Sequence, residues 1–472
     1  MRRYTILFVL FLALMAATRL PLIPGQLYSF DEINLVYGMD RLDIRVSQPQ
    51  PPGYPLFVAQ MHLMRGLRFV RPESNLIALS ILGSALALLA LVWCGDRMLG
   101  GRTGLYAALL LLLHPSFWYA GLSSALRVQL AMISAGVAGC AWQAWKGDPK
   151  WVWRGAFALG LGAGVRPEMG PLLFPLWAVG WLRCRHRLGP LAALAGVVLL
   201  WLTPLALGSG GFVKFAQGCW EYLVGQGETT SAVFGQGTMA GTTTTVWLIV
   251  WTFSGLVFLP MFGLLARGAE DRIGRTRWLF FGLWLGPSLL FAWTIHVADP
   301  GHVLAMLVPV SLFMGHQVSR AVSMRGTWLE PKWTWVPLLV AAGAWLQNQV
   351  TLAATGEIRV LILAVSLAFA AAVRLRPGKA VLGSTYAAGL ILAPCILFFV
   401  HALWAGRWYY EAPRELSAAR IWSDVSYGFH LSTYDHVREI VDPDDAAIRT
   451  AQQLVTERPG KAVVLWERGR TS

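Results

Sequence analysis

Residues 75–95, NLIALSILGSALALLALVWCG, form an uncharged apolar stretch that decides the fold class. An α-helix needs about 20 apolar residues to cross the hydrocarbon core of a bilayer, and this stretch has that length. Comparable apolar stretches recur along the chain as far as residue 404. This pattern excludes a soluble globular protein and predicts an all-α polytopic membrane protein.

The composition supports the same class. The chain has 472 residues, of which 56% are apolar and only 14% are charged, against about a quarter in an average soluble domain. Its net charge of +14 comes from Arg and Lys in short clusters between apolar stretches. Clusters of this kind are typical of cytoplasmic loops that face lipid headgroups, so we expect membrane lipids as partners and no nucleic acid.

We predict about thirteen membrane-spanning helices, which form one membrane domain over residues 1–404. The predicted spans are 4–23, 75–95, 103–122, 126–145, 151–166, 169–182, 188–208, 244–266, 278–297, 303–322, 333–350, 357–374 and 381–404. The two short spans on either side of Arg166-Pro167-Glu168 are open to a second interpretation, one broken helix followed by a partial one.

The segment Pro51–Val70 decides the topology. It is apolar but carries His62, Arg65 and Arg68, and we interpret it as an amphipathic helix on the membrane surface. With the N-terminus in the cytoplasm, most basic clusters then fall in cytoplasmic loops, as the positive-inside rule requires. If this segment were a span, every later loop would lie on the opposite side of the membrane.

On this topology, the outer face of a bacterial-type inner membrane receives the loop 24–74, the turn 123–127, the loop 209–243 and the turn 297–302. Residues 405–472 form a soluble outer-face tail. Its segment Val463-Val464-Leu465-Trp466 indicates a buried strand. The tail is therefore predicted to be a small α/β remnant or the end of a truncated domain.

Asp31 and Glu32 follow the first span at the predicted boundary between membrane and water. A carboxylate in this position can act as a general base toward a hydroxyl group. It can also bind a divalent cation that stabilises a leaving phosphate, although an ordinary solvated acidic loop would show the same residues.

The order of several short motifs resembles the GT-C superfamily of glycosyltransferases. This superfamily includes protein O-mannosyltransferases, aminoarabinose transferases and lipopolysaccharide glycosyltransferases. The motifs are Asp31-Glu32, Pro51-Pro52-Gly53-Tyr54-Pro55, Gly95-Asp96-Arg97, His114-Pro115-Ser116-Phe117-Trp118-Tyr119, Gly160 through Glu168, Ser209-Gly210-Gly211 and Asp299-Pro300-Gly301-His302. The resemblance covers most of residues 1–404.

The resemblance implies an inverting glycosyltransferase that uses a polyprenyl-phosphate-linked sugar as donor. A hydroxyl group of a glycan, lipid or protein acceptor would attack the anomeric carbon directly. Asp31 would accept the proton, while Glu32 would orient Asp31 or hold a cation. Tyr54, in the Pro-Pro-Gly-Tyr-Pro motif, is predicted to bind substrate.

The chain departs from the family's pattern at the turn 123–127. Relatives often carry a second acidic residue there, whereas this turn contains Arg127 and no carboxylate. A metal site made of two carboxylates is therefore in doubt. Arg127 either binds the donor phosphate, as guanidinium groups do well, or is an arginine that extends toward the membrane surface.

Four further residues are open to two interpretations. Arg166, at a helix break, either binds phosphate or forms a salt bridge with Glu168. His296, Asp299 and His302 have a spacing compatible with a cation site, but a polar turn explains the same pattern better. His302 is retained as a substrate-binding residue, and Asp31 and Asp299 as candidate ligands of a divalent cation.

Two other classes of function compete with the enzyme. A transporter or flippase for a lipid-linked or small polar substrate would carry ionisable residues at mid-bilayer and paired broken helices in two matching halves. The sequence shows one broken region and no matching partner, which favours the enzyme. A membrane scaffold protein without chemistry would tolerate any change at Asp31.

Overall fold

The protein is described from a computed structural model. The residues that the structure describes are 2–20, 30–46, 48–69, 72–234, 245, 248, 252, 274–295, 300–323, 420–423, 439–440 and 462–465. Most of these residues are helical, in agreement with the all-α membrane class predicted from the sequence.

The α-helices are numbered in chain order. They are α1 (Arg2–Arg19), α2 (Phe30–Gly38), α3 (Pro55–Gly66), α4 (Pro72–Met98), α5 (Thr103–Leu112), α6 (Pro115–Ser123), α7 (Ala125–Trp145), α8 (Pro149–Val165), α9 (Met169–Leu182), α10 (Leu188–Gly208), α11 (Phe212–Thr230), α12 (Arg275–Thr294) and α13 (Leu304–Ser323). Two 3₁₀ turns lie at Ile44–Val46 and Pro300–Val303.

Several helices are long and apolar enough to cross a membrane. In the described part of the chain they are Ser74–Met98, Ala125–Trp145, Leu188–Gly208 and Gly301–Ser319, with α5 and α6 together as a further, bent span. The total of about thirteen spans remains a prediction. The predicted spans 333–350, 357–374 and 381–404, and most of 244–266, lie outside the described residues.

The predicted span over 103–122 is bent and is not one straight helix. The structure divides this segment into α5 and α6, which meet at an angle of 62°. Pro115 is the physical reason, because proline lacks a backbone N–H and disfavours the helical conformation of the residue before it. His114 is accordingly extended, and its Nδ1 accepts a hydrogen bond from the backbone N–H of Ser116.

Glycines bring α4 and α5 into close contact. A Cβ atom on Gly104 would lie 2.3 Å from the carbonyl oxygen of Val92, and a Cβ atom on Gly95 would lie 2.4 Å from the Cα atom of Gly104. Small residues at such contacts let helix backbones approach inside a membrane, where packing and not water exclusion drives association.

α3 has twelve residues and is therefore about 18 Å long, too short to cross a bilayer. Its buried face carries Pro55, Phe57, Val58 and Met61. Leu63, outside this face, is 63% exposed. This shape agrees with the interpretation of Pro51–Val70 as an amphipathic helix and not a span, while its position on the outer face remains a prediction.

The segment 209–243, predicted to connect two spans on the outer face, contains the helix α11 over Phe212–Thr230, and its side of the membrane remains a prediction. Phe215, Gly218, Tyr222 and Gln226 are half-buried, and their spacing of three or four residues places them on one face of a helix. The glycines near the end of this segment hid the helical pattern.

Three short strands form a parallel sheet near the C-terminus. They are β1 (Arg420–Ser423), β2 (Glu439–Ile440) and β3 (Ala462–Leu465), in the order β2-β1-β3. β3 includes three of the four residues predicted to form a strand. The predicted domain boundary at residues 404 and 405 lies outside the described residues and remains a prediction.

Candidate active site

The candidate site starts at the N-terminus of α2. Asp31 and Glu32 lie in its first turn, where the partial positive charge of a helix N-terminus stabilises carboxylates. The Asp31 side chain is 31% exposed, whereas Glu32 is buried. Of the two carboxylates, Asp31 is therefore the one that a substrate can reach.

Arg127 pairs directly with Asp31. Its Nη2 atom donates a hydrogen bond to Asp31 Oδ2 at 2.7 Å, although 96 residues separate the two in sequence. Ser124 positions Arg127 by capping α7, since its Oγ atom accepts a hydrogen bond from the Arg127 backbone N–H. Arg127 is thus paired with a carboxylate and largely buried, while its binding of the donor phosphate remains a prediction.

Arg166 lies at the break between α8 and α9, where the backbone is extended before Pro167. Its Nε atom donates to a carboxylate oxygen of Glu168, and both side chains are largely buried. Of the two interpretations left open by the sequence, the structure therefore shows the salt bridge. Binding of phosphate by Arg166 stays a prediction.

Tyr54 brings an aromatic ring to the same place. The Arg166 guanidinium carbon lies 5.9 Å from the centre of its ring, within the range of a cation–π contact. Tyr54 is buried and has a left-handed backbone (φ 69°) just after Gly53, at the start of α3. Burial raises the pKa of Tyr54 well above its ordinary value, with the Arg166 charge opposing the rise.

Tyr222, on the half-buried face of α11, was not predicted from the sequence. Burial raises the pKa of its hydroxyl to about 12, the Asp31 carboxylate adds to the rise, and Arg166 opposes it. The charges of Glu168 and Arg127 also act on the Tyr222 pKa, so its hydroxyl lies near the cluster. Helical spacing of residues 215, 218 and 222 was the one signal that could have revealed it.

His302 completes the cluster from the 3₁₀ turn Pro300–Val303. It interacts electrostatically with Arg127, Arg166 and Asp31. The structure therefore brings together Asp31, Arg127, Arg166, Tyr54 and His302 from separate elements of the chain. Their individual roles remain predictions.

The described residues do not fit a metal centre. No group of three or more His, Cys, Asp or Glu residues among them could hold a metal ion, and Arg127 already occupies Asp31 Oδ2. His296 and Asp299, the other candidate ligands, lie outside the described residues. We therefore derive no step of the reaction through a metal ion.

A second charged cluster holds the loop after α2. Hydrogen bonds from Arg45 lower the pKa of the buried Asp43 carboxyl to about 2, although burial acts in the opposite direction. Arg41 also donates to this carboxylate, and the Ile44 backbone N–H donates to Ser209 Oγ. Both carboxylate oxygens are thus bound by arginine, so this cluster anchors the loop to the end of α10.

The chain shares its fold with solved structures of a membrane protein. The structure matches ArnT from Cupriavidus metallidurans bound to undecaprenyl phosphate with a TM-score of 0.60 and 15% identity, over 97% of this chain and 89% of that chain. The apo form of the same protein gives a TM-score of 0.60 and 16% identity, over 97% and 88% of the two chains.

A more distant similarity is to the oligosaccharyltransferase AglB from Archaeoglobus fulgidus in complex with an inhibitory peptide and a dolichol-phosphate. Its TM-score is 0.47 with 12% identity, over 93% of this chain and 64% of that chain, and we base no argument on it. Neither protein-family models nor curated protein sequences match the chain. At these identities the comparisons establish the fold, and the activity has to be argued from the site.

Proposed function

We propose that the protein is an inverting glycosyltransferase that moves a sugar from a polyprenyl-phosphate donor to a hydroxyl acceptor. The observation that carries this proposal is the partly exposed Asp31 carboxylate beside Arg127 and Arg166 in one cluster. A carboxylate base and cationic groups are the two parts that a direct displacement at a sugar phosphate requires. The fold shared with ArnT bound to undecaprenyl phosphate supports a lipid phosphate as the leaving group.

The reaction is a single displacement. The acceptor oxygen forms a bond to the anomeric carbon while Asp31 accepts the hydroxyl proton. The bond between the anomeric carbon and the phosphate oxygen breaks, and its electron pair stays on the phosphate. Arg127 and Arg166 stabilise the negative charge that develops there, which is the kind of electrostatic contribution that lowers a barrier most.

The remaining residues hold the reacting groups in position. Glu32 is buried in the first turn of α2, where it helps to fix the helix end that carries Asp31. Tyr54 and Tyr222 each present a phenol to the charged cluster. His302 lies near the same charges and serves the donor or the acceptor.

The proposed location is the inner membrane of a bacterial-type cell, with a cytoplasmic N-terminus and an outer site. The positive-inside rule supports this orientation, because Arg97 and Arg102 then lie in the cytoplasm. α3 is too short to invert the later loops. A glycan, a lipid or a protein fits the acceptor side equally well.

The test is a transfer assay with purified full-length protein and labelled polyprenyl-phosphate sugars. We expect the wild-type protein to form an inverted glycoside and to release polyprenyl phosphate. Asp31→Asn should reduce transfer by at least about a hundredfold, the usual contribution of a general base. Asp40→Asn, an exposed carboxylate nine positions along the chain, is the matched control and should keep activity.

Retained transfer in folded Asp31→Asn would remove Asp31 as the base. Movement of the intact lipid-linked sugar across the membrane, without cleavage of the sugar–phosphate bond, would support the transporter alternative instead.

A further inference from the structure

The ion pair between Asp31 and Arg127 joins the two groups that the proposed reaction uses separately. Arg127 Nη2 donates to Asp31 Oδ2 at 2.7 Å. While this contact is intact, the carboxylate shares its charge with the guanidinium group. The guanidinium group likewise uses its Nη2 atom to bind Asp31.

A second ion pair in the same cluster allows a comparison. Arg166 and Glu168 lie two residues apart at the break between α8 and α9, and their side chains are 7% and 18% exposed. Arg127 and Asp31 come from different helices, and their side chains are 14% and 31% exposed. Arg127 is therefore the guanidinium group whose partner can change with the least rearrangement of the backbone.

The charges that change during the reaction favour such an exchange. A polyprenyl-phosphate sugar is a phosphodiester with one negative charge. When its bond to the anomeric carbon breaks, the leaving phosphate gains a second negative charge. At the same moment Asp31 takes up a proton and loses its charge. The attraction of Arg127 for Asp31 thus falls while its attraction for the phosphate rises.

We propose that Arg127 exchanges partners: it holds Asp31 as in the structure, begins to contact the phosphate when a donor binds, and completes the exchange as the acceptor proton moves to Asp31. Asp31 then becomes available as a base only in the presence of the donor. This inference rests on the proposed function and adds a coupling between donor binding and release of the base. Because binding linkage is reciprocal, the Asp31 charge must also weaken phosphate binding.

The test measures equilibrium binding of undecaprenyl phosphate to the full-length protein in nanodiscs. We expect Asp31→Asn to bind this lipid about fivefold more tightly than the wild type. This factor is at the lower end of typical coupling between two binding events, because the side chains of Asp31 and Arg127 are both partly exposed. Arg127→Gln should bind it more weakly. Asp40→Asn is the matched control and should bind it like the wild type. Asp31→Ser is measured beside Asp31→Asn, so that the result does not depend on one replacement.

The decisive sample is the double variant Asp31→Asn/Arg127→Gln, because pairs of residues that act together give non-additive effects. We expect it to bind undecaprenyl phosphate like Arg127→Gln alone. Tighter binding caused by Asp31→Asn in the Arg127→Gln background would overturn the inference, since the effect would then be general charge removal. No tightening in Asp31→Asn, with normal binding by the wild type, would also overturn it and leave the proposed function intact. Failure of the wild type to bind the lipid would overturn both.

Discussion

At the scale of single residues, the site depends on charges that come from distant parts of the chain. Asp31 and Arg127 form one pair, and Arg166 and Glu168 form another. Paired charges can stay partly buried, whereas a lone buried charge would be costly. The two pairs therefore neutralise charges that would be costly alone, and Asp31 remains partly exposed.

Tyr222 provides a prediction at this scale. Because its pKa is raised to about 12, its hydroxyl keeps its proton and remains a hydrogen-bond donor throughout neutral and mildly alkaline pH. We expect Tyr222→Phe to lower the rate of sugar transfer about tenfold, which corresponds to the loss of about one hydrogen bond to a charged group. The measurement is the transfer rate at saturating donor, from pH 6 to 9.

Trp220→Phe is the matched control, since Trp220 lies on the same helix and is 66% exposed. It should leave the transfer rate unchanged. Equal rates for Tyr222→Phe and the wild type would exclude a role of this hydroxyl in the reaction.

Most of the residues in the cluster could be predicted from the sequence, but one could not. Asp31, Tyr54 and His302 stand in short motifs whose order indicated a shared site, and Arg127 stands at the turn where the chain departs from the family's pattern. The structure places the four near one another. Tyr222 was not chosen as a site residue, because aromatic residues near predicted span ends are typical of an aromatic belt at the membrane interface. Its role depends on the packing of α11, which no local motif encodes.

At the scale of elements, hydropathy predicted helices well where they are long and continuous. The predicted span 188–208 has the bounds of α10, and the predicted span 126–145 differs from α7 by one residue. Hydropathy could not predict the break at Pro115, since the residues on both sides are apolar. It also missed α11, whose apolar residues such as Val213 and Trp220 are exposed.

The contact between α4 and α5 provides a prediction at this scale. A Cβ atom on Gly104 would lie 2.3 Å from the Val92 carbonyl oxygen, and a backbone atom cannot move aside easily. We expect Gly104→Ala to lower the free energy of unfolding by about 1–3 kcal/mol through overpacking. The apparent Tm of the purified protein should then fall by several degrees. The measurement is thermal unfolding in detergent.

Gly136→Ala is the matched control, because it also lies within a spanning helix and a Cβ atom there would meet nothing within 4 Å. It should leave Tm unchanged or raise it slightly, since alanine favours helix more than glycine. An equal effect of both substitutions would contradict the close contact between the two helices.

At the scale of the whole molecule, the membrane determines what the cluster can do. The described helices include several that can cross a bilayer, and short helices such as α2 and α3 that cannot. The site residues come from the ends of these elements, where lipid and water meet on the proposed topology. A lipid-linked donor and a water-soluble group can therefore reach the same carboxylate.

The most direct test of this arrangement is the side of the membrane that Asp31 faces. Single cysteines are introduced as Asp31→Cys, Asp40→Cys and Arg102→Cys in a protein without its five native cysteines, and intact cells are treated with an impermeant thiol reagent. The account predicts labelling of Asp31→Cys and Asp40→Cys from outside, and labelling of Arg102→Cys only after the cells are opened. Labelling of Arg102→Cys in intact cells, with Asp31→Cys protected until lysis, would contradict an outer-face site.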